Sequence, residues 1–247
     1  MRTLFIADLH LSENHRQITD AFFAFIDKEA SHADTLYILG DMFEVWIGDD
    51  EHTPLMDEVA QKLTTLATKN NTKIFYIHGN RDFMIGKRYA KQSSMNLLPE
   101  HSEIDLYGKK TLIMHGDTLC LFDKNYQRMR KVIHNPILQF IFNCLPLKLR
   151  KRIGWKIRTA SQSKKVYKNN EMMGVTESEV LRLMTFHRVQ CLIHGHTHQA
   201  YVHDLTINEQ KAQRFDVGDW YHNLSFVDAS ANGIELIIHP IDYYKKP

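Results

Sequence analysis

Cysteine is scarce in this 247-residue chain: three residues, Cys120, Cys144 and Cys191, stand far apart and form no CxxC pair. That argues against a disulfide framework and a thiolate zinc site, and it fits a reducing compartment. Long apolar runs are missing too. The opening MRTLFIADLH reaches a charged residue after five apolar or small positions, too few for a signal-peptide core, and no later stretch approaches the ~18 residues of a membrane span. The expectation is a chain neither exported by that route nor membrane-spanning. No internal repeat or low-complexity tract is evident, and the ten methionines are scattered without forming a cofactor box. What is present is core material. Hydrophobic residues make up 43% and charged residues 24%, which excludes a disordered or fibrous chain, and the length fits one large α/β domain of ~200–250 residues.

A local absence is more telling. Residues 124–170 contain no Asp or Glu, yet they hold 13 of the 31 Lys and Arg. The remainder of the chain is therefore net acidic, and the overall charge of +2 hides a bipolar molecule. Pro136 and Pro146 interrupt the helical stretches of this segment, which reads as a helical insertion.

Elsewhere, short apolar runs rich in β-branched and aromatic residues end abruptly in polar clusters, as buried strands do on leaving a sheet. Residues 3–7 lead into Asp8-Leu9-His10, 36–39 into Gly40-Asp41, and 74–77 into His78-Gly79-Asn80-Arg81-Asp82. Residues 112–114 lead into His115-Gly116-Asp117, and 192–193 into His194-Gly195-His196-Thr197-His198. Helical spacing between the first three runs, as in Ile18, Phe22, Phe25 and Ile26 or Val59, Leu63 and Leu66, completes a β-α-β-α-β pattern. Sites in open α/β sheets form outside the carboxyl ends of strands, so the expectation puts all five polar tips at one edge of one sheet. Closely spaced strand candidates at 215–217, 224–227 and 234–238, separated by turn residues, suggest a second, mainly antiparallel sheet. The expected fold class is α/β, two sheets face to face with helices outside.

Asp8 and His10 are two apart and share a face if the strand continues through them. Alone, each tip has an ordinary reading as a turn or strand end. Together they supply imidazoles, two carboxylates and an amide oxygen, a mixed set suited to manganese, iron or zinc. Two neighbouring ions need a bridging carboxylate, for which Asp41 is the candidate, and such a pair suits phosphoryl chemistry. His78 and His194 read as packed or supporting histidines rather than ligands. Glu44, Asp49 and Asp50 either orient ligands or solvate a loop. Trp46 reads as core, and Asp117, Asp216 and Asp219 as turn residues beside glycines.

The ordered blocks Asp8-Leu9-His10, Gly40-Asp41-Met42-Phe43-Glu44, Gly79-Asn80-Arg81-Asp82, His115 and Gly195-His196-Thr197-His198 resemble the calcineurin-like metallophosphoesterases, whose pattern is DxH, GDxx[DE], GN[HR][DE], H and GHxH. The resemblance spans residues 8–198. It implies an αββα sandwich forming a single domain over 1–247, with 124–170 as a helical lid. It also implies one ion held by Asp8, His10, Asp41 and His198, and another by Asp41, Asn80, His115 and His196. Where many members carry histidine after Gly-Asn, this chain has Arg81, which cannot act as an ordinary proton donor but can hold phosphate oxygens and stabilise charge on them.

Within that superfamily, ADLHL, LGDMFEVWIGDD, HGNRDF, the basic insertion and IHGHTH resemble the UDP-2,3-diacylglucosamine pyrophosphohydrolases of lipid A synthesis. The resemblance implies two Mn2+ per chain, a peripheral place at the cytoplasmic face of the inner membrane, and a monomer. It implies catalytic roles for Asp41, Asn80 and Arg81, and contacts from Asn80, Arg81, Asp123, Ser161, Lys165, Lys168 and His196 to an amphiphilic nucleotide-sugar lipid. Relatives often carry a small polar residue where this chain has Lys165. The insertion suits such a substrate, since it mixes its bases with Ile133, Leu138, Phe140, Phe142 and Trp155 and could meet anionic headgroups. Two other readings of it are a solvated hairpin and a nucleic-acid stripe. The second is disfavoured because its apolar residues are aliphatic more than stacking aromatics, so nucleic acid is not an expected partner. Rival functions are a phosphodiesterase or nuclease on the same fold, and a non-catalytic interaction module.

Overall fold

A computed structural model describes residues 1–165, 174–221 and 223–245. The chain opens with β1 (Arg2–Ile6), α1 (Arg16–Lys28), β2 (Thr35–Ile38), α2 (Pro54–Lys69), β3 (Lys73–Tyr76), α3 (Lys87–Gln92) and β4 (Met95–Leu97). Strands β1 to β4 run parallel. Helix α1 buries Ile18, Ala21, Phe22, Phe25 and Ile26 along one stripe. Helix α2 starts where Thr53 accepts from the Met56 N–H at 3.3 Å and Pro54 takes the first turn.

The chain then forms the hairpin β5 (Ser102–Leu106) and β6 (Lys109–Ile113), followed by α4 (Lys124–Ile133), α5 (Pro136–Asn143), α6 (Leu147–Lys165) and α7 (Glu177–His187). It ends with β7 (Cys191–His194), β8 (Tyr201–Ile207), β9 (Gln210–Asp216), β10 (Asn223–Ser230) and β11 (Gly233–Pro240). Pro136 opens α5, and Asn135 caps it by accepting from the Ile137 and Leu138 N–H groups.

Six strands in the order β11-β10-β1-β2-β3-β4 form one sheet, and five in the order β5-β6-β7-β9-β8 form the other. Side-chain alternation explains the layering. Leu4 and Ile6 face α1 and α2 in one core, while Phe5 and Ala7 meet Ile113, Ile193 and Phe215 between the sheets. Leu112 and Leu192 face Val180, Leu183 and Met184 of α7 on the outside of the second sheet. The result is an αββα sandwich.

This arrangement corrects two expectations. The five polar tips do not share one sheet: β1, β2 and β3 carry three of them, and β6 and β7 of the other sheet carry two. The late strands do not form the second sheet together either. β9 joins β7 there, whereas β10 pairs antiparallel with β1 and brings β11 into the first sheet. An apolar run buried on both faces reads the same in either sheet, so its pairing partner leaves no mark in the run itself.

Candidate metal centre and adjoining pocket

β1 ends at Ile6, and the next chemical groups sit in turns rather than on a continuing strand. Asp8 and His10 have φ of 54° and 49°, so alternation along a strand does not explain their shared direction. Asp41, His196 and His198 are also left-handed, at 51°, 74° and 63°. Each such non-glycine residue costs on the order of 1 kcal/mol or more and persists only where the surroundings over-determine it. Here they do. Asp8 N–H donates to Gly40 O at 3.1 Å, His10 N–H to Asp41 O at 2.9 Å and Leu11 N–H to Met42 O at 2.9 Å, locking the first two tips side by side. The buried Asp82 carboxylate accepts from the N–H groups of Asp41, Phe43 and Gly79 at 3.1–3.2 Å and so ties in the third. Glycine is required at two close approaches: a Cβ on Gly79 would overlap Asp41 Oδ1, and one on Gly195 would overlap Asp8 Oδ2.

The side chains converge. His10 Nε2 and His198 Nε2 lie 3.2 Å apart, at 3.8 and 3.6 Å from Asp8 Oδ1. Asp41 Oδ2 is 3.9 Å from His10 Nε2, and its Oδ1 is 3.7 Å from His115 Nε2. Asn80 Oδ1 approaches His115 Nε2 to 3.1 Å, and the His115 and His196 rings stand edge to face at 5.1 Å. Asp8 with His10 and His198, and Asp8 with Asp41 and His115, each offer ligand atoms within 4.8 Å of one another. Backbone bonds orient these carboxylates, since Asp8 Oδ2 accepts from His196 N–H and Asp41 Oδ1 from Arg81 N–H, both at 2.7 Å. His115 Nδ1 faces Leu39 O at 2.8 Å, so as a donor there it leaves Nε2 turned inward.

The donors fit divalent ions. Asp8 Oδ1, which faces His10 Nε2 and His198 Nε2, is buried without a hydrogen-bond partner, an arrangement that ordinarily costs ~1–3 kcal/mol. Burial pulls His10 down to about 3, keeping it neutral as a ligand must be. Burial pushes the Asp8 carboxyl up to about 6 against the pull of His198 and His115. Burial also opposes charge on His115, yet Asp41, Asp8 and Asp117 outweigh it and lift the imidazole to about 9. Clustered carboxylates thus create a field that favours positive charge at this rim.

A cavity of about 240 Å³, open to solvent, adjoins the rim. Asn80, Arg81, Glu44, Tyr126 and Arg158 line its near end, and Ile47, Phe83, Val132, Leu138, Phe142, Ile153 and Ile157 are among its apolar walls. Arg158 of α6 pairs closely with Glu44, whose other oxygen lies 3.3 Å from His10 Nδ1. The Nε groups of Arg81 and Arg158 are buried without a hydrogen-bond acceptor among the described residues. Behind the cavity, Asp117 accepts from Tyr126 Oη at 2.5 Å and Arg130 Nε at 2.6 Å, anchoring α4 to the second sheet.

Of the residues singled out from the sequence, Asp8, His10, Asp41, Asn80, Arg81, His115, His196 and His198 are gathered at this rim. Asp123 caps α4, accepting from the Tyr126 N–H at 3.1 Å. The side chains of Ser161 and Lys165, and all of Lys168, lie outside the described residues. His194 is buried against Gly195 O and Arg214, and His78 meets Ile85 O. Sequence reasoning missed Arg158 and Tyr126 as individual residues within the basic segment. It also took Asp117 and Asp219 for turn residues, whereas Asp219 Oδ2 lies 2.7 Å from His198 Nδ1. A glycine neighbour was the only local signal for these acids, and it pointed to a turn.

Two stacked sheets whose strand-end loops collect acids and imidazoles at one rim define a metallophosphoesterase, and the sequence profile of the calcineurin-like phosphoesterases matches residues 1–200. Three curated relatives carry the name UDP-2,3-diacylglucosamine hydrolase. The protein of Psychromonas ingrahamii is 67% identical over 99% of this chain and all of its own length. Those of Serratia proteamaculans and Photobacterium profundum are 48% and 47% identical, over 97% and 96% of this chain and 100% and 96% of their own. Among solved structures, a phosphoesterase of E. coli aligns over 96% of this chain and 92% of its own at 15% identity, with a TM-score of 0.45. The chain belongs to the calcineurin-like phosphoesterases and, within them, to the UDP-2,3-diacylglucosamine hydrolase family.

Proposed function

We propose that the chain cleaves the pyrophosphate of UDP-2,3-diacylglucosamine, with water attacking the α-phosphorus, to release UMP and 2,3-diacylglucosamine 1-phosphate. The observation that carries this reading is one juxtaposition: a rim of metal-competent donors opens directly into an apolar cavity, with two half-buried arginines, Arg81 and Arg158, where they meet. That order of surfaces matches a substrate with phosphates between a polar arm and fatty arms.

Asp8, His10, Asp41 and His198 would hold one ion, and Asp41, Asn80, His115 and His196 the other, with manganese the proposed metal. Such a pair, when bound, supplies activated water and neutralises charge on a phosphoryl centre. The protein's own groups do the rest. Arg81, its backbone N–H tied to Asp41, presents a rigid fork to phosphate oxygens and stabilises charge developing there. Arg158 supplies a second cation on the cavity side, and Asn80 completes the polar boundary. The acyl chains take the cavity between α4, α5, α6 and the loop at 44–47, which makes 124–170 a lid on a single domain covering 1–247. Ser161, Lys165 and Lys168 are proposed to meet the sugar and phosphate from that lid, and Asp123 from its first cap.

The outer side of the same helices supports docking on the inner face of the inner membrane. Ile137, Phe140, Ile141 and Trp155 are exposed on helices that also carry Lys124, Arg128, Lys131, Lys148, Arg152 and Lys156, a composition suited to anionic headgroups. Among the described residues no helix is long and apolar enough to cross a membrane. A monomer is the proposed state. Incubation with manganese and UDP-2,3-diacylglucosamine in ¹⁸O water tests the reading. Label in UMP is expected; label in the lipid phosphate, or no cleavage with ready hydrolysis of soluble diesters instead, would overturn it.

A further inference from the structure

We propose that Asp219 is a positioning residue of the metal centre, holding His198 by Nδ1 so that Nε2 faces the ion; this deepens the function proposed above and rests on it. His198 is the imidazole that most needs such a hold. His10 and His115 have side chains 1% exposed, fixed by the surrounding core, whereas that of His198 is 19% exposed on a loop beyond β7. Either ring nitrogen of such a histidine could turn toward a cation unless one is engaged.

Asp219 engages one. Its Oδ2 lies 2.7 Å from His198 Nδ1, an ion-pair distance that sets the carboxylate against this nitrogen. The opposite nitrogen, Nε2, then stands 3.2 Å from His10 Nε2 and 3.6 Å from Asp8 Oδ1. His115 follows the same logic with a different acceptor, the carbonyl of Leu39 at 2.8 Å. A carboxylate does more than a carbonyl: it fixes the tautomer and also makes the free nitrogen a better donor to metal.

The carboxylate is itself held firmly. Trp220 is fully buried, its indole N–H donates to Ser225 O at 2.9 Å, and its ring stands edge-on to Phe25 at 5.5 Å and Phe22 at 6.2 Å. On its other side, Tyr221 stacks over His198 at 6.4 Å and over His10 at 5.7 Å. Asp219 thus sits between an anchor in the core and a ring covering the two histidines, with its own side chain 20% exposed.

The test uses the full chain and Mn2+ alone, with binding followed by the EPR signal of free Mn2+ and by calorimetry, on wild type, Asp219→Asn and Asp219→Ala. Asp219→Ala should lose about 10–100-fold in Mn2+ affinity, the cost typical of removing such a partner, and Asp219→Asn, which keeps an acceptor, should lose less. The melting temperature of the metal-free protein should stay unchanged in both. Affinity in Asp219→Ala within about twofold of wild type would overturn the proposal. So would weakened binding accompanied by a lowered melting temperature in both metal-free variants, which marks a structural role. If wild type itself takes up no Mn2+, the metal-centre reading falls together with this one; if all three chains bind alike, only this one falls.

Discussion

Shortening the acyl chains of the substrate is the sharpest perturbation the cavity offers. Its walls, among them Ile47, Phe83, Val132, Leu138, Phe142 and Ile153, present hydrocarbon to hydrocarbon, so each methylene seated there leaves water for an apolar surface. That transfer is worth about 0.8 kcal/mol per methylene. With ~1.4 kcal/mol equal to a tenfold change, kcat/KM should fall roughly fourfold per methylene removed while the chain still lies in the cavity. Four methylenes lost from one seated chain amount to about 3 kcal/mol, or a loss on the order of 200-fold. The assay is UMP release from UDP-diacylglucosamines of graded chain length, dispersed in detergent at fixed substrate mole fraction. Replacing Ile153 by Asp puts an unpaired carboxylate in the wall and should weaken the long-chain substrates most. A flat chain-length series, or equal rates for a deacylated UDP-glucosamine, would refute the assignment of the cavity to the acyl chains.

Asp41→Ala should abolish turnover and lower bound manganese per chain, checked by steady-state rates and elemental analysis; near-normal activity at saturating manganese would remove Asp41 from its bridging place. Arg81→Ala should lower kcat by roughly 10²–10³, as losing one transition-state donor does, with manganese content unchanged, and loss of metal would show that its role was misassigned. Asp117→Asn takes the negative charge out of a buried pair with Arg130 and weakens the bond from Tyr126, so stability should drop by about 3–5 kcal/mol, roughly 6–20 °C in melting temperature. Its pH dependence has a definite sign. Burial alone would raise the Asp117 carboxyl, but His115, His196, Arg130 and the Tyr126 hydroxyl hold it well below the usual range. The stabilisation is therefore complete above the unfolded value of ~3.9 and is lost as pH falls through the lower folded value. The gap in melting temperature between wild type and Asp117→Asn should narrow below about pH 4 and stay constant from pH 5 to 7.

The strands and helices were legible because local chemistry writes them. Ile18, Phe22, Phe25 and Ile26 can share a side only on a helix, and the run before Gly40-Asp41 can end only where its backbone leaves a sheet. Which sheet a run joins was not legible. Leu112, Ile113, Leu192 and Ile193 are buried on both faces, and nothing in such residues says whether the neighbour is β3 or β5. The rim was legible as a set of residue types but not as a geometry. Asp8 and His10 suggested one face of a strand, while the structure reaches the same convergence through left-handed turns locked to the Asp41 loop. The roles of Arg158 and Asp219 escaped notice for a common reason: each acts through a partner distant in sequence, Glu44 and His198 respectively.

That distance also explains why the charge imbalance of the sequence is more than a solvated face. Among the described residues, four bases of the segment from 124 to 170 reach back to acids of the body. Arg130 meets Asp117 at 2.6 Å and Lys151 meets Glu51 at 2.9 Å. Arg150, 2% exposed, donates to Asp50 and to Ile47 O, each at 2.8 Å, and Arg158 pairs with Glu44. Three of these acids lie in the short stretch from 44 to 51, whose first four residues line the cavity and whose Glu44 borders His10. Exposed ion pairs contribute little, but a guanidinium as enclosed as that of Arg150 is costly to leave unpaired. The helices are therefore clamped to the loop that carries Glu44 and not merely laid over it. The hydrocarbon-lined side of those helices and the imidazole rim are thereby held in a single register, as a substrate that must touch both at once requires.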